Sequence, residues 1–278
     1  MREVYPTAMS KHEIKLVAID LDGTLYTNDK QIRDVTIRAI SRARERGVEV
    51  LLVSARPPFG MQAAYEKLGL NGCGVAYNGA YVFDRMTGEV FVRYPMESED
   101  AVKIVQLSRR YLIYIGYYVG NAFYVEKVCD EMRLEERSLG QSPIVVSDII
   151  NDAPKQPDKI IAIALKDTED LRAYYQAARK VAPELNIHYS SSTSFEVGNA
   201  SASKGLALDW VAERKGIARE HRMVIGDNFN DLTMFDVAEI TVAVGNAPKE
   251  VRRRAMMVVA SNDEDGVAEA IDRCILNP

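Results

Sequence analysis

Ile14-Lys15-Leu16-Val17-Ala18-Ile19-Asp20-Leu21-Asp22-Gly23-Thr24-Leu25 sets two carboxylates where an apolar run gives way to a turn. The run from Ile14 to Ile19 has the length and composition of a buried strand, and Gly23 lets the backbone turn away sharply behind it. Side chains alternate across a strand, so Asp20 and Asp22, two apart, are expected to lean toward one ligand. Two acids that close repel by roughly 1 kcal/mol in water, and by several at a partly desolvated site, unless a cation or a proton relieves them. A divalent metal together with a phosphate meets that need. An aspartate at a strand end can attack phosphorus and form an aspartyl-phosphate. A second acid two residues on can protonate the leaving oxygen and later take a proton from water. Asp-Gly after a strand is also an ordinary turn signal, so the rest of the chain has to separate the two readings.

Outward from that stretch, apolar runs alternate with helical patterns in the manner of βαβ units. Asp34 to Arg46 reads as a helix stopped by Gly47, Val48 to Ser54 as a strand, and Pro58 to Leu68 as a helix stopped by Gly69. Gly74 to Phe83 gives a third strand region interrupted by Asn78-Gly79. Runs without polar alternation indicate strands covered on both faces, hence a parallel sheet. From Asp84 to about Tyr189 the character changes. Strand patterns at Val90–Tyr94, Ile113–Val119, Phe123–Val125 and Lys159–Leu165, with helices after Ser98 and Thr168, predict an inserted α+β domain. The βα alternation then resumes, with a helix from Ser203 to Lys215, strands at Met223–Gly226, Ile240–Val244 and Met256–Val259, and a closing helix over Glu264–Cys274. The expected fold is α/β: a doubly wound, Rossmann-like parallel-sheet core over 1–83 and 190–278, with an inserted α+β cap domain over 84–189.

In such a sheet ligands bind outside the carboxyl ends of the strands, at the switch point in strand order. Besides Asp20 and Asp22, three segments place polar residues at expected strand ends. Val50 to Val53 delivers Ser54, whose hydroxyl suits either a phosphate oxygen or an ordinary helix cap. Phe195-Glu196-Val197 precedes Ser203-Lys204-Gly205. A lysine in the first turn of a helix opposes the macrodipole by a few tenths of a kcal/mol, which a bound anion would reverse and a surface position would tolerate. Val224-Ile225-Gly226 delivers Asp227-Asn228-Phe229-Asn230-Asp231, more carboxylates and amides than capping alone consumes. Oxygen ligands of this kind suit magnesium, which prefers a few carboxylates, retained waters and substrate phosphate.

With these four ordered segments in hand, the chain resembles the haloacid dehalogenase superfamily, in its Cof-type branch of small-molecule phosphatases with a large type-two cap. Asp20-Leu21-Asp22-Gly23-Thr24 matches the first motif, Ser54 the second, Lys204 the third, and Gly226-Asp227 through Asn230-Asp231 the fourth. Ser54-Ala55-Arg56 stands where threonine-glycine-arginine is common, and the hydroxyl is kept. The resemblance implies Asp20 as nucleophile and Asp22 as general acid and base. It also implies Mg²⁺ held by Asp20, the backbone carbonyl of Asp22 and Asp227, with Asp231 supporting. Ser54 and Lys204 would hold the phosphoryl group, and Asn230 would orient Lys204 or the phosphate. Asn78 is a further expected substrate neighbour.

The implied activity is Mg²⁺-dependent hydrolysis of a small phosphorylated metabolite, a sugar phosphate or a phosphorylated cofactor, through an aspartyl-phosphate. A phosphosugar mutase and a non-catalytic phospho-receiver or ligand sensor are the alternatives on the same scaffold. Other classes lose support on composition. A formal net charge of −5 argues against nucleic acid or anionic membrane as the main partner. The basic run Arg252-Arg253-Arg254 reads as a solvated face. Cys73, Cys129 and Cys274 suit neither a disulfide framework nor a zinc site, and His12, His188 and His221 form no H-x-x-x-H pair. Met1 to His12 has no apolar segment of a secretory signal and no run approaches a membrane span, so a cytoplasmic location is expected. Tyr111, Tyr114, Tyr117 and Tyr118 read as packing aromatics rather than a base-stacking surface.

Overall fold

The computed structural model describes residues 13–164 and 169–278, so the expectations for Met1–His12, for Leu165 and for a helix start at Thr168 lie outside the described residues. Strand β1, Leu16–Asp20, is buried at every position, as an apolar run covered on both faces must be. Helix α1, Asp34–Glu45, carries Asp34 in its first turn and Arg42 and Arg44 in its last, both favourable to the macrodipole. It stops at Gly47, which takes φ +82°. Strand β2, Glu49–Val53, leads to a 3₁₀ turn at Pro58–Met61 and helix α2, Gln62–Leu68. Strands β3, Cys73–Ala76, and β4, Tyr81–Asp84, flank the Asn78-Gly79 turn, and β5, Val90–Arg93, follows.

The middle of the chain supplies α3 (Ser98–Tyr111), β6 (Tyr114–Val119), β7 (Ala122–Val125), α4 (Asp130–Leu139), β8 (Ile144–Val145), α5 (Ile149–Asp152), β9 (Lys159–Ile163), α6 (Glu169–Val181), β10 (Leu185–Ser191) and β11 (Ser194–Asn199). The last part supplies α7 (Lys204–Arg214), β12 (Arg222–Gly226), α8 (Leu232–Phe235), β13 (Ile240–Ala243), α9 (Lys249–Arg254), β14 (Met257–Val258) and α10 (Gly266–Ile271). Helix α4 has no counterpart in the sequence reading. Its charged run Glu131 to Arg137 leaves few apolar positions to announce a period.

Two sheets result. The first has the order β14-β13-β12-β1-β2-β3-β4-β5, parallel from β14 to β3 and antiparallel between β3 and β4. The chain starts in the middle at β1, winds outward to β2 and β3, and later returns to β12 on the other side of β1. The switch point of this doubly wound sheet therefore lies between β1 and β12. The second sheet has the order β10-β11-β9-β6-β7-β8, antiparallel except for the β7–β8 pair. Its core joins Ile104 and Leu107 of α3 to Leu171 and Tyr174 of α6 and to Ile160, Phe195 and Val197 of the sheet. Tyr117 and Tyr118 are buried, and Tyr118 stacks on Phe123 at 5.1 Å, in keeping with the packing reading.

The chain divides into two compact units, one of residues up to Ser54 with Ala63–Glu89 and Ser203–Pro278, the other of Ala55–Gln62 with Val90–Ala202. This differs from the boundaries read from sequence in three places. Residues 84–89, assigned there to the inserted domain, belong to the first unit, because β4 runs on to Asp84 and the turn behind it folds back on that residue. Residues 190–202, assigned there to the core, include β11, which pairs with β10 and β9 in the second sheet. Phe195-Glu196-Val197 is thus an antiparallel strand and not a parallel strand delivering Lys204. Its apolar pattern is the same in either sheet, and pairing partners are not encoded locally. Residues 55–62, expected in the core, belong to the second unit, where Arg56 donates to the Ser138 carbonyl at 2.8 Å and Phe59 stacks on Phe123 at 5.9 Å.

Candidate active site

Asp20 is the last residue of β1, and Gly226 is the last of β12. Ile19 pairs with Ile225 across the parallel ladder, so Asp20 and Gly226 stand level at the switch point. On the other side Asp20 pairs with Val53, which puts Ser54 just beyond it. Ser54 is buried, donating its N–H to the Val75 carbonyl at 2.8 Å and accepting the Asn78 N–H at 2.9 Å. Four segments far apart in the chain are thereby brought to one edge of one sheet.

Lys204 is the decisive side chain. It is 2% exposed, and its Nζ lies 2.5 Å from Asp20 Oδ1 and 2.6 Å from Asp231 Oδ1. The surface alternative for this lysine is thus gone. Ser203 caps α7 by accepting the Leu206 N–H at 3.2 Å, leaving Lys204 in the first turn to point at carboxylates that more than offset the macrodipole. Asp231, fully buried, spends Oδ1 on Lys204 and Oδ2 on the N–H groups of Asp227 and Asn228, both at 2.9 Å. It fixes the lysine and the fourth-motif loop together. A Cβ on Gly226 would lie 2.6 Å from the Asp231 side chain, so only glycine permits that approach.

Asp227 completes the cluster. Oxygens of Asp20, Asp227 and Asp231 all lie within 4.8 Å of one another. Thr24, buried, donates its hydroxyl to Asp227 Oδ1 at 2.8 Å. Gly23 takes φ +83°, and a Cβ there would fall 2.5 Å from Asp227 Oδ2. Burial pushes the Asp20 carboxyl well above the usual carboxylate range, against the pull of Lys204. Burial likewise pushes Asp227 up to about 6, with the Thr24 hydrogen bond opposing it. Burial acts to lower the Lys204 ammonium, but Asp20 and Asp231 outweigh it and hold the group above its ordinary value.

One ammonium between two buried carboxylates, with the half-buried Asp227 beside them, leaves an excess of negative charge, which in a largely desolvated pocket calls for a proton or a further cation. Hard oxygen donors at this spacing fit a divalent cation. Asp20 and Asp227 retain the most oxygen capacity for it, because Asp231 has already committed both of its oxygens.

Two expected site residues sit differently. The carboxylate of Asp22 does not join the cluster: it meets Lys30 Nζ at 2.7 Å, with the two side chains 39% and 52% exposed. The strand ends at Asp20, so alternation no longer governs the residue two positions on. Asn230 donates its Nδ2 to Asn78 Oδ1 at 2.8 Å rather than to Lys204 or Asp231. Its own Oδ1 is buried with no hydrogen-bond partner among the described residues. Asn78 holds its position at φ +55°, a conformation asparagine tolerates better than most residues.

Sequence reasoning passed over Thr24, Lys30 and Asn246. Thr24 stood inside the first motif, where its hydroxyl beside two acids was a readable signal. Asn246, which donates to the Gly23 carbonyl at 2.8 Å, and Lys30 had none, since both reach the site from loops.

The sequence profile of the haloacid dehalogenase-like hydrolases matches residues 17–271. The chain belongs to that family, in its Cof-type phosphatase branch. It is 31% identical over 255 residues to a Haemophilus influenzae protein bearing a provisional phosphatase name, covering 91% of this chain and 95% of that protein. It is 28% identical over 266 residues to a pyridoxal phosphate phosphatase of Escherichia coli, covering 92% and 97%. A solved haloacid dehalogenase-like hydrolase from Bacteroides thetaiotaomicron superposes with a TM-score of 0.87 at 27% identity, over 94% of this chain and 99% of that one. Among the described residues no helix is long and apolar enough to cross a membrane.

Proposed function

We propose that this hydrolase is a Mg²⁺-dependent phosphatase of a small phosphorylated metabolite, working through an aspartyl-phosphate on Asp20. The observation that carries the reading is the buried Lys204 between Asp20 and Asp231, with Asp227 in the same cluster at the switch point of the parallel sheet. A phosphate dianion approaching an aspartate is repelled, and this arrangement of charge offsets that repulsion. Asp20 and Asp227, with the backbone carbonyl of Asp22, are the residues that would hold Mg²⁺, and Asp231 supports them through the loop it organises. When bound, the ion would draw charge from the transferring phosphoryl oxygens.

In the first step a carboxylate oxygen of Asp20 attacks phosphorus while the bond to the leaving oxygen breaks, and Asp22 donates a proton to that oxygen. Lys204 and the Ser54 hydroxyl hold the equatorial oxygens. In the second step water attacks phosphorus, Asp22 takes its proton, and the bond to Asp20 breaks. For either proton transfer the Asp22 carboxylate has to leave Lys30. Asn230 and Asn78 present a linked pair of amides, one oxygen of which lacks a partner, to groups on the substrate. The pyridoxal phosphate phosphatase among the relatives supports a phosphorylated cofactor as the substrate class.

The test is phosphate release from a panel of phosphorylated metabolites, with Mg²⁺ and with a chelator. Release that needs the ion, and that vanishes in Asp20→Asn, supports the reading. Equal release with the chelator present, or full activity in Asp20→Asn, overturns it. Asp22→Asn is expected to slow poor leaving groups far more than nitrophenolate, which needs little protonation; equal losses on both remove Asp22 as the acid.

A further inference from the structure

The run Arg252-Arg253-Arg254 takes no part in the chemistry proposed above, and it forms the last turn of α9 beside a cavity of about 780 Å³ in the first unit. Lys249, Arg252, Arg253 and Arg273 line this cavity together with Glu264 and Glu269. Glu269 and Arg273 are already paired, while Glu264 keeps its charge and leaves the three remaining cations in excess by two. Glu269 meets Arg273 at 3.0 Å and accepts the Ala260 N–H at 2.8 Å, while Glu264 accepts the Ser261 hydroxyl at 2.8 Å. Lys249, Arg252 and Arg253 have no ion-pair partner among the described residues. The Arg252 Nε is buried and meets no hydrogen-bond acceptor there.

A buried guanidinium N–H without an acceptor is costly, and it lies here beside two further cations in a chain of net charge −5. The guanidinium fork matches phosphoryl oxygens in geometry and charge. The volume falls in the range of small-molecule sites, and Val258 and Val259 give the wall an apolar stretch. We propose that this cavity is a second ligand site, which binds a small molecule through a phosphoryl group held by Lys249, Arg252 and Arg253.

Asn246, also on the wall, donates to the Gly23 carbonyl of the loop behind Asp20, so the cavity and the carboxylate cluster are neighbours within one unit. The experiment has to resolve one from the other. Amide resonances of the Mg²⁺-free protein are followed during titration with inorganic pyrophosphate and, separately, with ADP. Saturable shifts are expected at Gly245, Val259 and Ala260. The Kd read there should rise by about tenfold or more in the Lys249→Gln/Arg252→Gln/Arg253→Gln variant, while shifts at Gly226 and Asp227 follow the same curve in both proteins. Equal affinity for the two probes assigns recognition to the phosphoryl group alone; tighter binding of ADP adds the apolar wall. Cavity amides that stay still up to about 10 mM of either probe, or a variant that binds as tightly as the parent, overturn the proposal. Arg253→Glu alone, on an exposed side chain, keeps the test open if the triple variant does not fold: binding several-fold weaker supports the site, and unchanged binding removes it.

Discussion

Each unit buries a lysine among acids, and the two lysines are set in different balances. In the second unit Lys159 and Glu196 pair at 2.9 Å with side chains 7% and 10% exposed, one charge against one, and the half-exposed His188 imidazole stands 3.7 Å from the other Glu196 oxygen. Lys159 also donates to the Ala55 carbonyl at 3.2 Å and lies 4.9 Å from the centre of the Tyr118 ring. In the first unit Lys204 faces Asp20 and Asp231 directly, with Asp227 beside them. A balanced buried pair is complete as it stands and needs nothing else. An unbalanced cluster is complete only when a cation, a proton or a ligand joins it, and that is the physical mark of a site as opposed to a strut.

The sharpest way to break this comparison is through activity. Asp20→Asn should lower phosphate release on the order of 10³-fold or more in steady-state assays, while binding of Mg²⁺ and of inorganic phosphate stays measurable by calorimetry. Replacing both members of the second-unit pair should leave the chemical step within a factor of a few.

Denaturant unfolding separates the two lysines next. Lys204→Met and Lys159→Met should each cost about 3–5 kcal/mol, because each strands buried carboxylate charge. The double change Lys159→Met/Glu196→Leu should recover most of that loss. Lys204→Met/Asp231→Leu should not, since Asp231 also holds the N–H groups of Asp227 and Asn228.

A smaller effect should come from Asp227→Asn. Removing one ionised carboxylate from the over-supplied cluster should raise the stability of the metal-free protein by about 1–3 kcal/mol at pH 7.5 and abolish the Tm increase on adding Mg²⁺. A retained Mg²⁺ response would show that the ion binds elsewhere.

The pH dependence follows with its sign. Asp227 holds its proton up to about pH 6 in the folded protein, against about 4 for an ordinary carboxylate. Between those values the folded state binds the extra proton, so this group makes the metal-free protein less stable as pH rises through the window. Mg²⁺ bound at Asp227 would compete with that proton. The Mg²⁺-induced rise in Tm should therefore be small at pH 5 and a few degrees larger at pH 7.5. The least change is expected at the exposed Lys30–Asp22 pair, where Lys30→Met should alter stability by less than about 1 kcal/mol in the same unfolding measurement.

Much of this was legible in the chain itself. The apolar run ending in Asp20, the helix opened by Ser203 with Lys204 in its first turn, and the polar turn after Gly226 carry local signals in period, caps and punctuation. These gave the α/β class and the residues that meet at the sheet edge. Other features carried no such signal. Phe195-Glu196-Val197 reads the same in a parallel and an antiparallel strand, which is why the expected boundary at 190 divided the second sheet. The helix Asp130–Leu139 has only three apolar residues, Met132, Leu134 and Leu139, so its buried side is easily missed among its charges. Asp22 was placed by extending strand alternation past the residue where the strand stops.

By itself the sequence determined that Asp20, Lys204 and Asp227 stand at or just beyond the ends of regular elements, because burial and periodicity are written in neighbouring residues. Only the tertiary structure decided that Lys204 lies between Asp20, 184 residues before it, and Asp231, 27 residues after it. It alone turned Asp22 out to Lys30 and gathered Lys249, Arg252 and Arg253 around a cavity whose only acid outside an ion pair is Glu264. Charge balance in a buried cluster depends on which strands are neighbours, and strand order is fixed by packing over the whole sheet rather than by any one stretch of chain.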